Sequence, residues 1–178
     1  MWQTVVLIPK GEIGDFRGIG LVEVMRKIVS ILLNRRLATA INRHAVLHGF
    51  RAGRRTGTAA LESKLLQHLT AMREAVLFEV FLDLQKACDA LDQDICLEII
   101  VAYGVGPRII RLLWTYWDHL TMVARSGGYF GLPFKGYRGL TQGDPLSPTL
   151  FSMVVEVVIR HWVTVMVPTA DGLEGLDL

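Results

Sequence analysis

Cysteine is scarce in this sequence. Cys88 and Cys96 are the only two, which is too few for a disulfide framework or a zinc site of four thiolates, so a reducing intracellular compartment is expected. The strand-like start is not preceded by the basic segment and apolar run of a signal peptide, and we expect none. Both observations argue against a small secreted protein held together by disulfides.

A long apolar run without charges is also absent. The most apolar stretch, 150–167, contains Glu156, Arg160 and His161 near its centre. Charges at the middle of a bilayer are costly, so this stretch is predicted to be a buried helix, and no membrane partner is expected. The hydrophobic content of 51% in 178 residues suits a globular chain with a proper core.

Charge is sparse but unevenly distributed. Only 20% of the residues are charged, and the formal net charge is +2. Residues 1–75 carry 12 Lys and Arg against 5 Asp and Glu, whereas residues 76–178 carry 7 against 12. This division suits a protein that contacts phosphates with its first part and metal cations with its second, although chance clustering of surface charge gives the same pattern.

The predicted helices and strands do not alternate regularly, which favours an α+β fold with an antiparallel sheet packed against helices. The predicted helices are Val22–Leu47, Thr58–Glu74, one capped by Asp92 and running to Tyr103, Arg108–Trp117, and a last one from Pro145 or Ser147 to Val167. The predicted strands are Thr4–Ile8, Ala75–Leu84 and a hairpin within Thr121–Lys135, with a loop reaching Gly20.

Asp83 is the candidate for chemistry. In the predicted strand Ala75–Leu84, apolar residues on one face alternate with Phe81 and Asp83 on the other, so the carboxylate points away from the core. Nucleotidyl transfer uses two Mg²⁺ ions, and Mg²⁺ prefers carboxylate and phosphate oxygens. Taken alone, an aspartate at the end of an apolar strand is more often a helix cap or a turn residue.

Several sequence blocks resemble those of a known protein family. FLDLQKACDALD at Phe81–Asp92 and RGLTQGDPLSPTLFS at Arg138–Ser152 resemble the first two of three signature blocks in the palm of reverse transcriptases of the group II intron and non-LTR retroelement type. VVLIPKG and DFRGIGL resemble the fingers blocks of that family, and HGFRAGRRTGTAALE resembles the block that meets the template strand. The resemblance implies polymerase fingers at residues 1–75 and a partial palm at residues 76–178.

The resemblance also implies ligands for the basic residues. Lys10 and Arg17 match the lysine and arginine that hold the incoming triphosphate. The template strand is expected to contact Arg51, Arg54, Arg55 and Pro145. A guanidinium or ammonium group is suited to this because it neutralises phosphate charge.

Other matched residues surround the expected nucleotide. Asp83 matches the first metal-binding aspartate of the family, which makes it the expected catalytic residue and Mg²⁺ ligand. Gln142 and Gly143 match the glutamine and glycine that approach the nascent base pair. Cys88 stands where the family has an aromatic gate against the ribose 2′-hydroxyl, so altered discrimination between dNTP and rNTP is expected.

The third palm block, which carries an aspartate pair, does not occur in this sequence. The expected function is therefore an RNA-directed DNA polymerase fragment that works with RNA template, DNA primer, dNTP and Mg²⁺ but is inactive alone. The alternatives are a non-catalytic nucleic-acid-binding module and a decayed retroelement product. Apolar surface left uncovered in such a fragment is expected to favour self-association.

Overall fold

The computed structural model describes residues 2–11, 14–40 and 47–166. Its strands are β1 (Trp2–Pro9), β2 (Phe16–Leu21), β3 (Thr121–Ser126) and β4 (Tyr129–Lys135). Its helices are α1 (Val24–Ala40), α2 (Thr56–Met72), α3 (Ala87–Ala90), α4 (Gln93–Ala102), α5 (Pro107–Asp118) and α6 (Ser147–Met166). The fold is thus mixed, with helices and one four-stranded sheet.

The sheet has the strand order β2-β1-β3-β4. The pairs β1–β2 and β3–β4 are antiparallel, but β1 and β3 run parallel, so the prediction of an antiparallel sheet is wrong at the centre. A parallel pair needs a long connection, and the helices between β1 and β3 supply it. The sheet also combines β1 and β2, which precede residue 75, with β3 and β4, which follow it. The boundary between fingers and palm at residue 75 stays a prediction.

β2 corrects the loop predicted up to Gly20. Its glycines suggested a turn-rich segment, but Phe16–Leu21 pairs residue by residue with β1, from Pro9 opposite Phe16 to Thr4 opposite Leu21. Pairing with a neighbouring strand overrides the weak strand propensity of glycine. The strand predicted at Thr4–Ile8 and the hairpin predicted within Thr121–Lys135 are confirmed.

The core is helical rather than centred on the sheet. α4 packs against α5 and α6, and α1 packs against α6. The buried apolar residues that these helices share include Leu37, Cys96, Ile100, Leu113, Leu150 and Met153. α4 begins as predicted, because the Asp92 carboxylate accepts hydrogen bonds from the main-chain N–H groups of Asp94 at 3.0 Å and Ile95 at 3.4 Å.

The first two helices differ from their predictions in where they begin and end. α1 begins at Val24 and extends to Ala40, whereas the predicted helix ran from Val22 to Leu47. Residues 41–46 of that prediction lie outside the described part of the chain. Leu47 itself is buried and is not helical. α2 matches its prediction to within two residues at each end.

The strand predicted at Ala75–Leu84 is not formed. The segment is coil, and its apolar side chains other than the half-buried Leu77 are exposed, with Phe78 at 88% and Phe81 at 87%. A strand needs a neighbour for its N–H and C=O groups, and no strand of the described chain pairs with this one. Glu79 instead accepts hydrogen bonds from Ser63 at 2.7 Å and Gln67 at 2.6 Å on α2, and these bonds lower its pKa.

α6 is buried only in its first half. Leu150, Met153 and Glu156 lie in the protein interior, whereas Trp162 and Val165 are exposed. By length and composition alone, the part Ser147–Val165 would suffice to cross a membrane, a test that a core helix also passes. The buried-helix prediction is therefore confirmed for the half that packs against α4 and α1.

The two cysteines give a chemical test of this packing. Burial raises the pKa of Cys96 to about 12, while burial and the nearby Asp89 carboxylate raise the pKa of the half-buried Cys88. Because the thiolate is the reactive form, we expect a maleimide at pH 8 to label Cys88 slowly and Cys96 only after unfolding in urea. Mass spectrometry of peptides, with Cys88→Ser as the control, reads out each site; fast labelling of Cys96 would contradict the described core.

Candidate nucleotide and template site

The turn that carries Gln142 and Gly143 is held between β2 and α3. The main-chain N–H of Gly20 donates to the carbonyl of Gln142 at 2.7 Å. The side-chain amide of Gln142 donates to the carboxylate of Asp89 at 3.0 Å. The predicted nucleotide-contacting glutamine is therefore tethered through both its main chain and its side chain.

The segment preceding this turn is bonded to the block that contains Cys88. The N–H of Leu140 donates to the carbonyl of Cys88 at 2.8 Å, and the N–H of Gly139 donates to the carbonyl of Leu91 at 2.7 Å. The Gln93 side chain adds a bond to the carbonyl of Gly139 at 2.9 Å. Two blocks that are far apart in sequence are thus aligned by main-chain hydrogen bonds.

Gly143 meets a steric requirement of this arrangement. Its φ is +110°, and a Cβ built on it would lie 2.5 Å from the carbonyl oxygen of Gly20. Both the backbone conformation and the close approach to β2 exclude a side chain at this position. The glycine of the Gln-Gly pair is therefore needed for the turn to pack on the sheet.

A buried polar cluster lies beneath the turn. It consists of Gln3 on β1, Arg26 on α1 and Asp144, all of them buried. The Arg26 guanidinium donates to the Gln3 side-chain carbonyl at 3.2 Å and lies 3.5 Å from the Asp144 carboxylate. Burial lowers the pKa of Arg26, and the neighbouring Asp144 and Glu23 partly offset that effect.

Two further contacts involve Arg26 and Asp144 of this buried polar cluster. The Arg26 guanidinium lies over the ring of Tyr116, 4.1 Å from its centroid. The other carboxylate oxygen of Asp144 accepts the main-chain N–H of Leu146 at 3.0 Å. Asp144 thus fixes the turn from inside the protein. The sequence did not predict the roles of Gln3, Arg26 and Asp89, because pairing across such separations leaves no local pattern.

Lys10 and Arg17 lie on the β1–β2 hairpin, and both are exposed. The Lys10 ammonium lies 3.6 Å from the carboxylate of Asp15 across the hairpin. Arg17 pairs with Ile8 in the sheet and alternates with Gly18 and Gly20. Its side chain therefore leaves the sheet on the face opposite to the one at which those glycines lie.

A groove connects the sheet to the Gln-Gly turn. It encloses about 230 Å³ and is lined by residues of β1, β2, β3 and β4 together with the segment from Gly136 to Gln142. Asp89 and Arg138 also line it. The groove is open at one side and lies directly beside the Gln142 side chain, so it is a candidate position for a base or sugar.

The predicted template residues lie around the start of α2. Arg55 is the residue before α2, and the Arg54 guanidinium pairs with the Glu62 carboxylate at 2.9 Å. Arg51 lies in the turn before them and is half-buried. Pro145 is half-buried on the other side of the site, directly after Asp144. The described contacts do not join the arginines to the Gln-Gly turn.

Asp83 lies on the exposed coil five residues before Cys88. Within 2–11, 14–40 and 47–166, no three side chains of the His, Cys, Asp and Glu types are grouped closely enough to hold a metal ion. A Mg²⁺ site needs several oxygen ligands, so the described residues do not by themselves fit the ion. Asp83 remains a predicted ligand.

Comparison with known proteins identifies the family. The profile described as "Reverse transcriptase (RNA-dependent DNA polymerase)" matches residues 8–170 of this chain. The chain belongs to that family. The resemblance inferred from the palm and fingers blocks is thereby confirmed.

Individual relatives are much longer than this chain, and two of the three described next are named as proteins of retrotransposable elements. The chain is 26% identical over 146 residues to the Pol polyprotein of the type-2 retrotransposable element R2DM of Drosophila melanogaster, a match that covers 82% of this chain and 14% of that protein. It is 26% identical over 164 residues to the Pol polyprotein of the type-1 element R2 of Popillia japonica, covering 88% and 23%. A reverse transcriptase-like protein of Chlamydomonas reinhardtii is 30% identical over 132 residues, covering 73% and 33%.

Proposed function

We propose that this reverse transcriptase chain forms the nucleotide- and template-contacting part of an RNA-directed DNA polymerase, with the fingers in residues 1–75 and part of the palm in residues 76–178. The observation that carries the proposal is the pair of main-chain hydrogen bonds that aligns the Cys88 block with the Gln142 block. Both blocks are ones that the family resemblance assigns to the nucleotide.

The proposed nucleotide site is the groove beside Gln142. The sugar lies toward Cys88, whose small side chain leaves more room than the aromatic gate of the family. Gln142 and Gly143 contact the base pair, because the glycine lets the main chain approach without a side chain in between. Lys10 and Arg17 hold the triphosphate in this proposal, which requires a rearrangement of the hairpin, because the Arg17 side chain leaves the sheet on the face opposite to the groove.

The proposed template site is the start of α2. Arg51, Arg54 and Arg55 would contact template phosphates, with Pro145 at the base pair. The Glu62 carboxylate pairs with the Arg54 guanidinium at 2.9 Å. A phosphate would replace or share that carboxylate as the partner of the guanidinium.

The proposed role of Asp83 is that of one carboxylate ligand for Mg²⁺. A Mg²⁺ ion held by Asp83 and by further carboxylates would supply activation of the primer hydroxyl and neutralisation of the triphosphate charge. Because two-metal catalysis needs further carboxylates, we propose that residues 1–178 alone bind template without extending a primer. In this view Asp83 reaches its position at the metal when another segment pairs with residues 75–84.

The test is primer extension on an RNA template with dNTPs and Mg²⁺, using the 178-residue chain and its Asp83→Asn variant. We expect extension by neither protein, together with salt-sensitive template binding by both. Template binding should weaken in Arg51→Ala and Arg54→Ala but not in Arg108→Ala on α5, the matched control. Extension that disappears in Asp83→Asn would show that the chain is a competent polymerase and would refute the proposed division of labour.

A further inference from the structure

An apolar cleft separates α1 from α5. α1 packs against α6 and α5 packs against α4, whereas no comparable packing joins α1 to α5 within the described chain. The space between the two helices measures about 360 Å³, and buried leucines such as Leu113 and Leu150 form its floor. Met25 and Val29 on α1 line one side, and Leu112 on α5 lines the other. We call this space the α1–α5 cleft.

The side chains that line the two sides of the cleft are exposed. Met25 is 72%, Val29 43% and Leu112 46% exposed. Leu32 and Arg36 continue the line of Met25 and Val29 along α1, because all four lie on one face at helical spacing. This line extends over about 16 Å, or about three turns, of the helix. An exposed apolar surface with a charged residue at its end is typical of an interaction site.

The cleft is positive at the end where Arg36 lies. Arg36 and the adjacent Arg35 are exposed, and neither forms an ion pair with another described residue. Arg111 on α5 is also exposed and without such a pair. At the other end, Glu23 lies near the guanidinium of Arg26, so charges of both signs occur there. Uncompensated positive charge beside an apolar surface favours a partner that carries both apolar and acidic residues.

A third helix is the element that this shape fits. Two helices with a gap between them present a groove, and an amphipathic helix places its apolar face into such a groove. Packed helices have their axes about 8–10 Å apart, so a helix lying over the gap would contact α1 through Val29 and α5 through Leu112. Carboxylates beside its apolar face would then lie near Arg36 and Arg111.

Two other occupants fit the cleft less well. Unpaired bases stack on exposed rings, but the Tyr and Trp side chains that line the cleft, Tyr116 and Trp117, are half-buried and buried. A second copy of the chain would have to supply an acidic apolar helix face. The exposed end of α6, residues 157–166, has no Asp or Glu, and the only acidic residue of α2, Glu62, is already paired with Arg54. Neither of these apolar faces complements the positive end of the cleft.

We propose that the α1–α5 cleft binds an acidic amphipathic helix of a partner protein. Apolar side chains of that helix pack against Val29 and Leu112, and its carboxylates pair with Arg36 and Arg111. The inference goes beyond the proposed function, because the cleft is a different space from the groove beside Gln142. Binding is therefore measurable without nucleotide, template or metal.

The test is fluorescence anisotropy of a labelled synthetic peptide titrated with the 178-residue chain. The peptide is a helix of about 15 residues, with leucines at i, i+4, i+7 and i+11 and glutamates beside them. We expect Val29→Asp and Leu112→Asp each to weaken binding about tenfold or more, because a carboxylate would lie against the leucines. Ile28→Asp is the matched control and should leave the affinity unchanged, since Ile28 is 49% exposed on α1 but does not line the cleft.

The contribution of charge has its own variant and its own peptides. Arg36→Gln should weaken binding about threefold and make it less sensitive to salt, because one exposed ion pair is lost. A peptide with glutamine in place of every glutamate should bind the unmodified chain and Arg36→Gln equally. A peptide of the original composition, rearranged so that the leucines are spread around the helix, should not bind.

Circular dichroism and urea unfolding verify that each variant is folded, and the two aspartate variants on different helices test the cleft independently. Absence of binding, equal binding of the rearranged peptide, or equal losses in Ile28→Asp and Val29→Asp would overturn the inference. Displacement of the peptide by oligouridylate would show that nucleic acid occupies the cleft, and dissociation of a dimer by Val29→Asp would show that a second copy does; either result would also overturn it. The proposed function is decided separately, by primer extension and by template binding of the Arg51 and Arg54 variants.

Discussion

Arg26→Met is expected to lower the free energy of unfolding by about 3–5 kcal/mol. Methionine keeps most of the volume of the side chain, so no large cavity is left beside the Tyr116 ring, over which the Arg26 guanidinium lies. The charge is lost, however, and the Asp144 carboxylate is left buried 3.5 Å from where its cation stood. An uncompensated buried charge is far more costly than the absence of the pair as a whole.

Urea denaturation of the chain and its variants measures this effect, with the exposed Arg111→Met on α5 as the control for losing an arginine. The double variant Arg26→Met with Asp144→Asn should recover part of the stability, because no buried charge then lacks a partner. A loss of less than about 1 kcal/mol in Arg26→Met would contradict a buried ion pair and would mean that water reaches Asp144.

The same variant has a consequence for the nucleotide site. Asp144 directly follows Gly143 and accepts the N–H of Leu146, so it determines how the turn continues into α6. If Asp144 turns outward in Arg26→Met, the Gln142 side chain should lose its fixed position beside Asp89. Arg26 on α1 does not line the groove beside Gln142. Its effect on the turn that carries Gln142 would therefore be transmitted through its ion pair with Asp144.

Local sequence signals predicted the elements whose stability is local. Asp92 predicts the start of α4 because its side chain caps the first turn of that helix. Gly127 and Gly128 predict the β3–β4 hairpin because these two residues themselves form its turn. The segment Ala75–Leu84 has equally clear alternation but is not a strand, since alternation describes a preference for a sheet and does not supply a neighbouring strand. β2 is the opposite case, because its glycines have a low propensity for strands but the segment pairs with β1 along its whole length.

In the candidate site, too, the local motifs were predictable and the long-range side-chain contacts were not. The blocks around Cys88 and Gln142 are recognisable because each is a short contiguous motif, and the structure aligns them through Leu140 and Gly139. The contact of Arg26 with Asp144 spans most of the chain, and neither residue belongs to a pattern that one sequence reveals. Side-chain partners of this kind follow from the packing of helices on the sheet, which periodicity does not determine.

Gly139→Ala is expected to destabilise the chain by about 2–5 kcal/mol, the sum of backbone strain and a steric clash. The φ of Gly139 is +86°, and a Cβ there would lie 2.7 Å from the carbonyl oxygen and 2.9 Å from the Cα of Asp89. Both atoms belong to the main chain of α3, so no side chain can rotate away. Relief of the clash would require breaking the Gly139 N–H bond to Leu91 or moving α3 away from the turn.

Gly128→Ala separates the two causes. Gly128 has a nearly identical φ of +89° but no atom within 4 Å of its Cβ position, so this variant should lose only the strain, about 1–2 kcal/mol. Urea unfolding of both variants gives the difference in destabilisation, which is the cost of the steric clash between the added Cβ and the main chain of α3. Because α3 carries Asp89, which holds Gln142, the Gly139 variant should also bind dNTP more weakly than the Gly128 variant does. Equal destabilisation by the two substitutions would mean that α3 yields freely, and that main-chain alignment of the two blocks contributes little to the geometry of the site.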